Sequence, residues 1–341
     1  MNGFDRIKSA VEGRMPDVRP IMLHNFMLAV AEYGCSMKQY REDPQTAADC
    51  HIRFVEKYGI DGVLFDVDTA LLASAVGAPV DYPEHDPARV CAPLVQSLDE
   101  IDFLEDVDIS KSVRVQHSLE VMKILRKYFG NELFLRGNCD QAPFSLACAL
   151  RGPEAFMMDL VLAPEKARKL IEHTSRISVR MIHLMARAGV DMVSNGDSPA
   201  GPEMISPDMY REFALEPEKL LINAAHEEGV PYLMHICGNT ELILPDMACA
   251  GFDAVELDYK TSTEAIFKNF SKSTTIFGTV DPSGVIALGR PEDVRREILE
   301  IEKYYRGNPR IVYGAGCAIP PMTPEENIRE FVKTVRALRD D

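Results

Sequence analysis

The stretch "PYLMHICGNTEL", residues 231–242, decides how the chain is read. Pro231 to Met234 look like a β-strand, and the run then breaks into a histidine, one apolar spacer, a cysteine and a glycine. If the strand continues through them, His235 and Cys237 leave the same face, about 7 Å apart along the chain, because strand side chains alternate. Two soft or borderline donors side by side at a strand end are a candidate metal site. They are equally well two core residues, a buried thiol and a histidine bonded to a carbonyl.

Working outward, the same design recurs. Apolar runs read as strands at 20–26 ("PIMLHNF"), 62–68 ("GVLFDVD"), 132–138 ("ELFLRGN") and 191–197 ("DMVSNGD"). The run at 231–237 is the fifth, followed by 254–259 ("AVELDY"), 275–281 ("TIFGTVD") and 310–317 ("RIVYGAGC"). Helix-type periodicity lies between them. Residues 163–189 start near a proline and stop at Gly189, 206–229 also stop at a glycine, and 323–338 open on Thr-Pro-Glu-Glu. Eight strands alternating with helices predict parallel βαβ units and an α/β fold, a (β/α)8 TIM barrel. A doubly wound open sheet is the competing architecture, but no G-x-G-x-x-G follows the first strand. Segments before 20 and over 28–60 read as extra N-terminal helices, and with no linker in sight 1–341 reads as a single domain.

The bulk numbers narrow the partners. The chain has 341 residues, 46% hydrophobic and 26% charged, enough for one large barrel core. A net charge of −16 without a basic cluster argues against nucleic acid and anionic membranes. No apolar stretch of about 20 residues and no signal-peptide pattern occurs, so a cytoplasmic location is expected. Eight cysteines are scattered rather than spaced as a disulfide framework, and reduced thiols are expected. A homo-oligomer is compatible with the sequence, which leaves that state open.

Barrel enzymes carry their chemistry at the C-terminal strand ends. Here those ends supply His24 and Asn25, Asp66 and Asp68, Asn138 and Asp140, then Asp197. His235 and Cys237, Glu256 and Asp258, Asp281 and finally Cys317 follow. If the barrel closes, His235, Cys237, an acid from strand six and Cys317 face one mouth. Thiolate and imidazole are donors that Zn²⁺ prefers, and three protein ligands with a fourth position open describe a catalytic zinc site. The glycines of "YGAGCAIPP" are expected to let backbone crowd a ligand.

At these residues a family resemblance becomes visible. "HICGNTELILPDMACAGFDAVELDYKTSTEAI", "GTVDPSGVIALGRPEDVRREI" and "GCAIPPMTPEENIREFVKTV" resemble the uroporphyrinogen decarboxylase superfamily, which includes zinc- and cobalamin-linked methyltransferases. "GRMPDVRPIM" and "ALLASAVGAPVDY" extend the resemblance to nearly the whole chain. The branch it most resembles is that of the methylcobamide:coenzyme M methyltransferases, whose zinc motif is H-x-C plus a distant cysteine in a G/E-C-A-x-P context. His235, Cys237 and Cys317 match that motif. The resemblance implies Zn²⁺, a corrinoid supplied by a corrinoid-binding protein (the chain has no D-x-H-x-x-G element), and a thiol or methyl-donor substrate.

It also distributes roles. Asp258, 21 positions after Cys237, is the candidate fourth ligand, ahead of Glu256 at 19. Asp197 would orient His235 or hold substrate, with a helix cap as its structural alternative. His24 and Asn25 would line the corrinoid side, with Asn138 and Glu256 as further binding residues. The departures matter too. There is no arginine between Arg19 and Arg41 to hold a porphyrinogen's carboxylates, and "GAGC" stands where the decarboxylases resemble "LGHG". Asp68, however, falls at the decarboxylases' key aspartate, counting back from Gly77. The expectation is a zinc-dependent methyltransferase that unloads a methylcobalamin protein onto a thiol. The alternatives are a methyltransferase running in the loading direction, a porphyrinogen decarboxylase, or a non-catalytic thiol-binding module.

Overall fold

A computed structural model describes residues 1–338. Eight strands form one parallel sheet in sequential order. They are β1 (Met22–Leu23), β2 (Gly62–Phe65), β3 (Phe134–Gln141) and β4 (Met192–Gly196), then β5 (Tyr232–Ile236), β6 (Ala254–Leu257), β7 (Thr275–Phe277) and β8 (Ile311–Val312). The Met22 N–H donates to the Tyr313 carbonyl at 3.0 Å and the Tyr313 N–H to the Pro20 carbonyl at 2.8 Å, which joins the first strand to the last. The predicted (β/α)8 barrel is therefore the observed fold. The eight predicted runs all carry a strand, but β1 and β8 keep only two residues each in the ladder.

The alternation of side chains explains what fills the barrel. Met22, Leu64, Phe134, Met192, Leu233, Ala254, Phe277 and Val312 cluster with Ile7 and Ala10 in one buried apolar group. Helix α1 (Gly3–Val11) supplies the last two, and Thr275 donates a hydrogen bond to the Ala10 carbonyl at 3.0 Å. The helix thus stoppers the N-terminal end. Moving two residues along each strand, from Met22, Leu64, Phe134, Leu233 and Ala254, reaches His24, Asp66, Arg136, His235 and Glu256. The inward face therefore changes from apolar to ionised in one step of the pleat. Truncating a lower-layer side chain such as Leu64 to alanine would cost about 2–5 kcal/mol.

The helices follow the periodicity with two instructive differences. Residues 206–229, expected as one helix, contain a short helix (Pro207–Met209), a wider π-type turn (Tyr210–Ala214) and a helix (Leu215–Glu227). Pro217 has no N–H for the Phe213 carbonyl, so the ordinary i→i−4 register cannot run through this point. Within 28–60, the helix Pro44–Tyr58 is the connection from β1 to β2 rather than an addition; Phe26–Tyr33 and Met37–Glu42 are the extra ones. A small antiparallel hairpin (Val80–Asp81 with Arg89–Val90), which the sequence reading did not anticipate, reaches the C-terminal mouth. Among the described residues, no helix is long and apolar enough to cross a membrane.

Candidate metal centre

His235 is the fourth residue of β5, Cys237 follows the strand directly, and Cys317 follows β8. The His235 Nε2 lies 3.0 Å from the Cys237 Sγ, and the two sulfurs are 3.5 Å apart. One donor atom from each residue fits within 4.8 Å of the others. The local backbone makes this convergence possible. Gly238 takes a left-handed φ of 85°, turning the chain sharply after Cys237. Ser198 accepts the Cys237 N–H at 3.2 Å. A Cβ on Gly316 would sit 2.7 Å from the Leu257 carbonyl, and one on Gly314 2.3 Å from that of Met22. The glycines before Cys317 thus admit the backbones of neighbouring strands, not the close ligand approach expected from their sequence.

The donor set fits a tetrahedral zinc ion. Zn–S bonds of ~2.3 Å and Zn–N bonds of ~2.0 Å need roughly 3.8 Å between sulfurs and 3.6 Å between nitrogen and sulfur. The sulfur–sulfur separation of 3.5 Å and the nitrogen–sulfur separation of 3.0 Å are shorter by about 0.3 and 0.6 Å, within the reach of small side-chain rotations. The protons tell the same story. The Cys237 thiol is held down to about 3, chiefly by the hydrogen bond from Cys317 and with help from the His235 imidazole, against the cost of burial. Cys317 is pushed up because it keeps the shared proton, with burial adding to the shift. His235 is desolvated, yet the neighbouring thiolate raises it above the usual imidazole range. A buried thiolate of this kind is a ready metal ligand.

Behind the donors lies a paired set of charges. The Glu256 Oε1 stands 3.3 Å from His235 Nδ1 and 3.2 Å from His24 Nδ1, while Oε2 meets the Arg136 guanidinium at 2.5 Å. His24 Nε2 contacts Asp66 Oδ2 at 2.9 Å, and Asn138 donates to Asp66 Oδ1 at 2.8 Å. Burial alone would lower His24, but the two carboxylates raise it to about 9. The Glu256 carboxyl is desolvated too, and Arg136 and His24 nonetheless hold it below the usual carboxylate range. Buried ions persist only when paired in this way.

The remaining sequence candidates divide clearly. His24, Asn138, Glu256 and Asp68 line the cavity above the metal donors, and Asn25 does not. Asn25 is buried, and its carbonyl accepts the Ala29 N–H at the start of the following helix. Asp197 is fully buried with its Oδ1 held by the Ser145 hydroxyl at 2.6 Å, and only its backbone N–H touches His235, at the carbonyl. Its carboxyl interacts with the buried Glu218, so Glu256 stands where Asp197 was expected, behind the imidazole. Asp258 accepts the N–H groups of Gly238 at 3.0 Å and Lys260 at 3.1 Å and lies outside the three-donor group, because both oxygens anchor loops. Sequence reasoning missed Arg136 and the hydroxyl of Ser198. A lone arginine at the centre of "LFLRGN", in phase with Asn138, was the available signal for the first.

A cavity of about 710 Å³ opens above these groups, within the size range of small-molecule sites. Cys237 and Cys317 are on its wall, along with Cys148 from the helix Pro143–Arg151 and Cys91 beyond the hairpin. An apolar chamber with a few convergent polar groups can bind a small molecule and exclude water from a reacting sulfur.

Comparison with known proteins supplies the family. The profile described as uroporphyrinogen decarboxylase (URO-D) matches residues 2–338. A methylcobamide:CoM methyltransferase of Methanosarcina barkeri is 25% identical over 342 residues, spanning 98% of this chain and 97% of that protein. A uroporphyrinogen decarboxylase of Syntrophotalea carbinolica is 27% identical over 301 residues, 86% of this chain and 84% of its own. A solved structure described as a methyltransferase from Methanosarcina mazei superposes with a TM-score of 0.90 at 22% identity, covering 98% of both chains, a likeness of fold.

Proposed function

The chain belongs to the uroporphyrinogen decarboxylase family, and from that premise we propose that it is a zinc-dependent methyltransferase. It moves a methyl group between a corrinoid, carried by a separate protein, and a thiol substrate. The observation that carries this reading is the cluster of His235 Nε2, Cys237 Sγ and Cys317 Sγ on the wall of a substrate-sized cavity. Those three residues would hold the zinc. The bound ion would supply Lewis acidity, keeping a substrate thiol ionised at neutral pH where a free thiol with a pKa of about 8.5 is mostly protonated.

The protein's own groups then have defined tasks. The backbone carbonyl of Glu256, 3.1 Å from Nδ1 of His235, accepts from the ring and so aims Nε2 at the sulfurs, with the Glu256 carboxylate alongside at 3.3 Å. The carbonyl fixes the tautomer and orientation of the ring, while Arg136 and His24 keep the carboxylate ionised, so that a negative charge stands beside the imidazole. The chamber walls remove water from the nucleophile, which strengthens it. Transfer toward the thiol is favoured over loading of the corrinoid, since two thiolates and an imidazole leave an electron-rich centre suited to a nucleophile.

Porphyrinogen decarboxylation is the second reading, on the ground that Asp68 lines the cavity. The basic groups on that wall argue against it. Arg136 is committed to Glu256, and Arg89 is an exposed rim residue paired with Asp81. A polycarboxylate would find little compensation there.

The test incubates zinc-loaded protein with methylcobalamin and a panel of thiols while following the cobalamin spectrum. Thiol-dependent loss of the methyl–cobalt absorption, abolished in Cys317→Ala, is expected. A zinc-replete protein inert toward every thiol would reject the thiol as substrate.

A further inference from the structure

The hairpin of Val80–Asp81 with Arg89–Val90 lies against the mouth, and Pro87, Arg89, Val90 and Cys91 form part of the cavity wall. Its tip, residues 82–88, is a strap fastened by groups outside the hairpin. The Lys38 N–H donates to the Glu84 carbonyl at 3.0 Å. The Arg41 guanidinium, from the helix Met37–Glu42, donates to the Asp86 carbonyl at 2.8 Å and to that of Pro83. Tyr82 covers this fastening. Its ring centre is 5.9 Å from the guanidinium carbon of Arg41 and 4.7 Å from that of Arg114, and its hydroxyl is 2.5 Å from that of Ser74.

The charges at the fastening are not balanced where they stand. Arg41 is 2% exposed, and Arg114 donates to the Arg41 carbonyl at 2.7 Å; among the described residues neither has an acidic partner within ion-pair distance. Asp68 faces both arginines, and its one hydrogen bond among the described residues runs from the Ala70 N–H to Oδ1 at 2.9 Å. All three side chains line a void of about 10 Å³, the room of one water molecule. Burial disfavours the charge on Arg41, and the attraction of Asp68 is the chief influence opposing it. A buried cation held by peptide carbonyls beside an unclosed carboxylate has two arrangements within reach, on the strap or on the acid. Gly77, with a φ of 99° and nothing near the place of its missing side chain, gives the chain entering the hairpin a point to turn.

We propose that the hairpin is a lid over the cavity, that Arg41, Arg114 and Tyr82 latch it shut, and that Asp68 receives the arginines when it lifts. Closed, the lid keeps water from the chamber and retains a bound molecule. Lifted, a charge-assisted pair with Asp68 offsets the carbonyl contacts that Arg41 gives up. Asp68 acts here on the arginines and not on the bound molecule, so the device stands whichever reaction the cavity carries.

Native-state proteolysis tests it. The bond after Glu84 is the one whose carbonyl Lys38 holds, so endoproteinase Glu-C reaches it only when the strap has left the surface. Where lifting is fast relative to cutting, the rate follows the population of the lifted lid. The whole chain is digested at pH 8, and mass spectrometry reads cleavage after Glu84 relative to cleavage after Glu241, in the loop beyond β5. Tyr82→Leu, which weakens the closed form, should raise the ratio at least threefold. Asp68→Asn keeps an acceptor for Ala70 but removes the arginines' second partner, and should lower the ratio at least threefold. Were Asp68 merely a support for the closed strap, its loss would speed cutting instead. A ratio unchanged or raised in Asp68→Asn, or unchanged or lowered in Tyr82→Leu, overturns the proposal. So does a wild-type strap cut as fast as in urea-unfolded chain, which has no latch, or one never cut, which does not lift.

Discussion

The carboxylate of Glu256 stands 3.3 Å behind Nδ1 of His235. The same residue answers His24 and Arg136, so it is the point where the candidate metal donors and the barrel's internal charges meet. Glu256→Gln should keep the shape of the site but lose the charge behind the imidazole. Zinc affinity is expected to fall by less than about 10-fold, because the Glu256 carbonyl that accepts from Nδ1 is unchanged and only the neighbouring charge is lost, read by competition with a chelator. Glu256→Ala also strands Arg136 and should cost about 3–5 kcal/mol in denaturant unfolding.

Metal content tests the donors directly. Wild-type protein should carry zinc near one per chain, and Cys237→Ala or Cys317→Ala should lose it. Asp258→Asn should keep it, because the Asp258 oxygens are occupied by the N–H groups of Gly238 and Lys260. Elemental analysis after dialysis distinguishes these outcomes.

Gly316→Ala probes how Cys317 is delivered. The added Cβ would meet three backbone atoms of residues 257–259 between 2.7 and 3.2 Å, where no flexible side chain can yield. The loop must shift, carrying Cys317 with it. Weaker zinc retention with an otherwise folded circular-dichroism spectrum is expected. Gly229→Ala, where the Cβ would touch nothing, should keep its zinc, though its φ of 74° makes it mildly strained.

The acid pair beneath the site predicts a pH dependence. Burial raises the Asp197 carboxyl to about 6 and Glu218 well above the carboxylate range, the two lying near each other with Ser145 bonded to the first and Tyr210 to the second. Their folded pKa values exceed the unfolded ones near 4, so the native state binds more protons. Stability from this pair is full below about pH 4 and declines as pH rises through 6 and beyond. Glu218→Gln, which imitates the protonated acid, should match wild type near pH 5 and exceed it by roughly 1–3 kcal/mol at pH 8. Thermal unfolding at the two pH values reads the difference.

The barrel was legible because eight buried parallel strands leave eight apolar runs with polar ends, a signal that needs no tertiary knowledge. The meeting of His235, Cys237 and Cys317 followed from that topology, since strand ends share one rim. The partners of the carboxylates were not legible. Asp66, Asp197, Glu256 and Asp258 look alike in sequence, and only cross-barrel geometry separates an ion-pair member, a buried acid, an imidazole support and a loop anchor. Arg136 was hidden for the same reason, because its counter-ion lies 120 residues away. The hairpin at the mouth is two residues per strand, too short for any period to register.

Cys237 and Cys317 are separated by 80 positions, and the second comes just after the strand that closes the barrel. On the ribosome, the first two donors emerge long before the third. A nascent chain would therefore offer only an incomplete chelate, and on the proposed zinc reading high-affinity loading would await the last βα unit. Starving cells of metal during synthesis and restoring it afterwards should then yield competent protein, because ion uptake would be an event of the finished barrel.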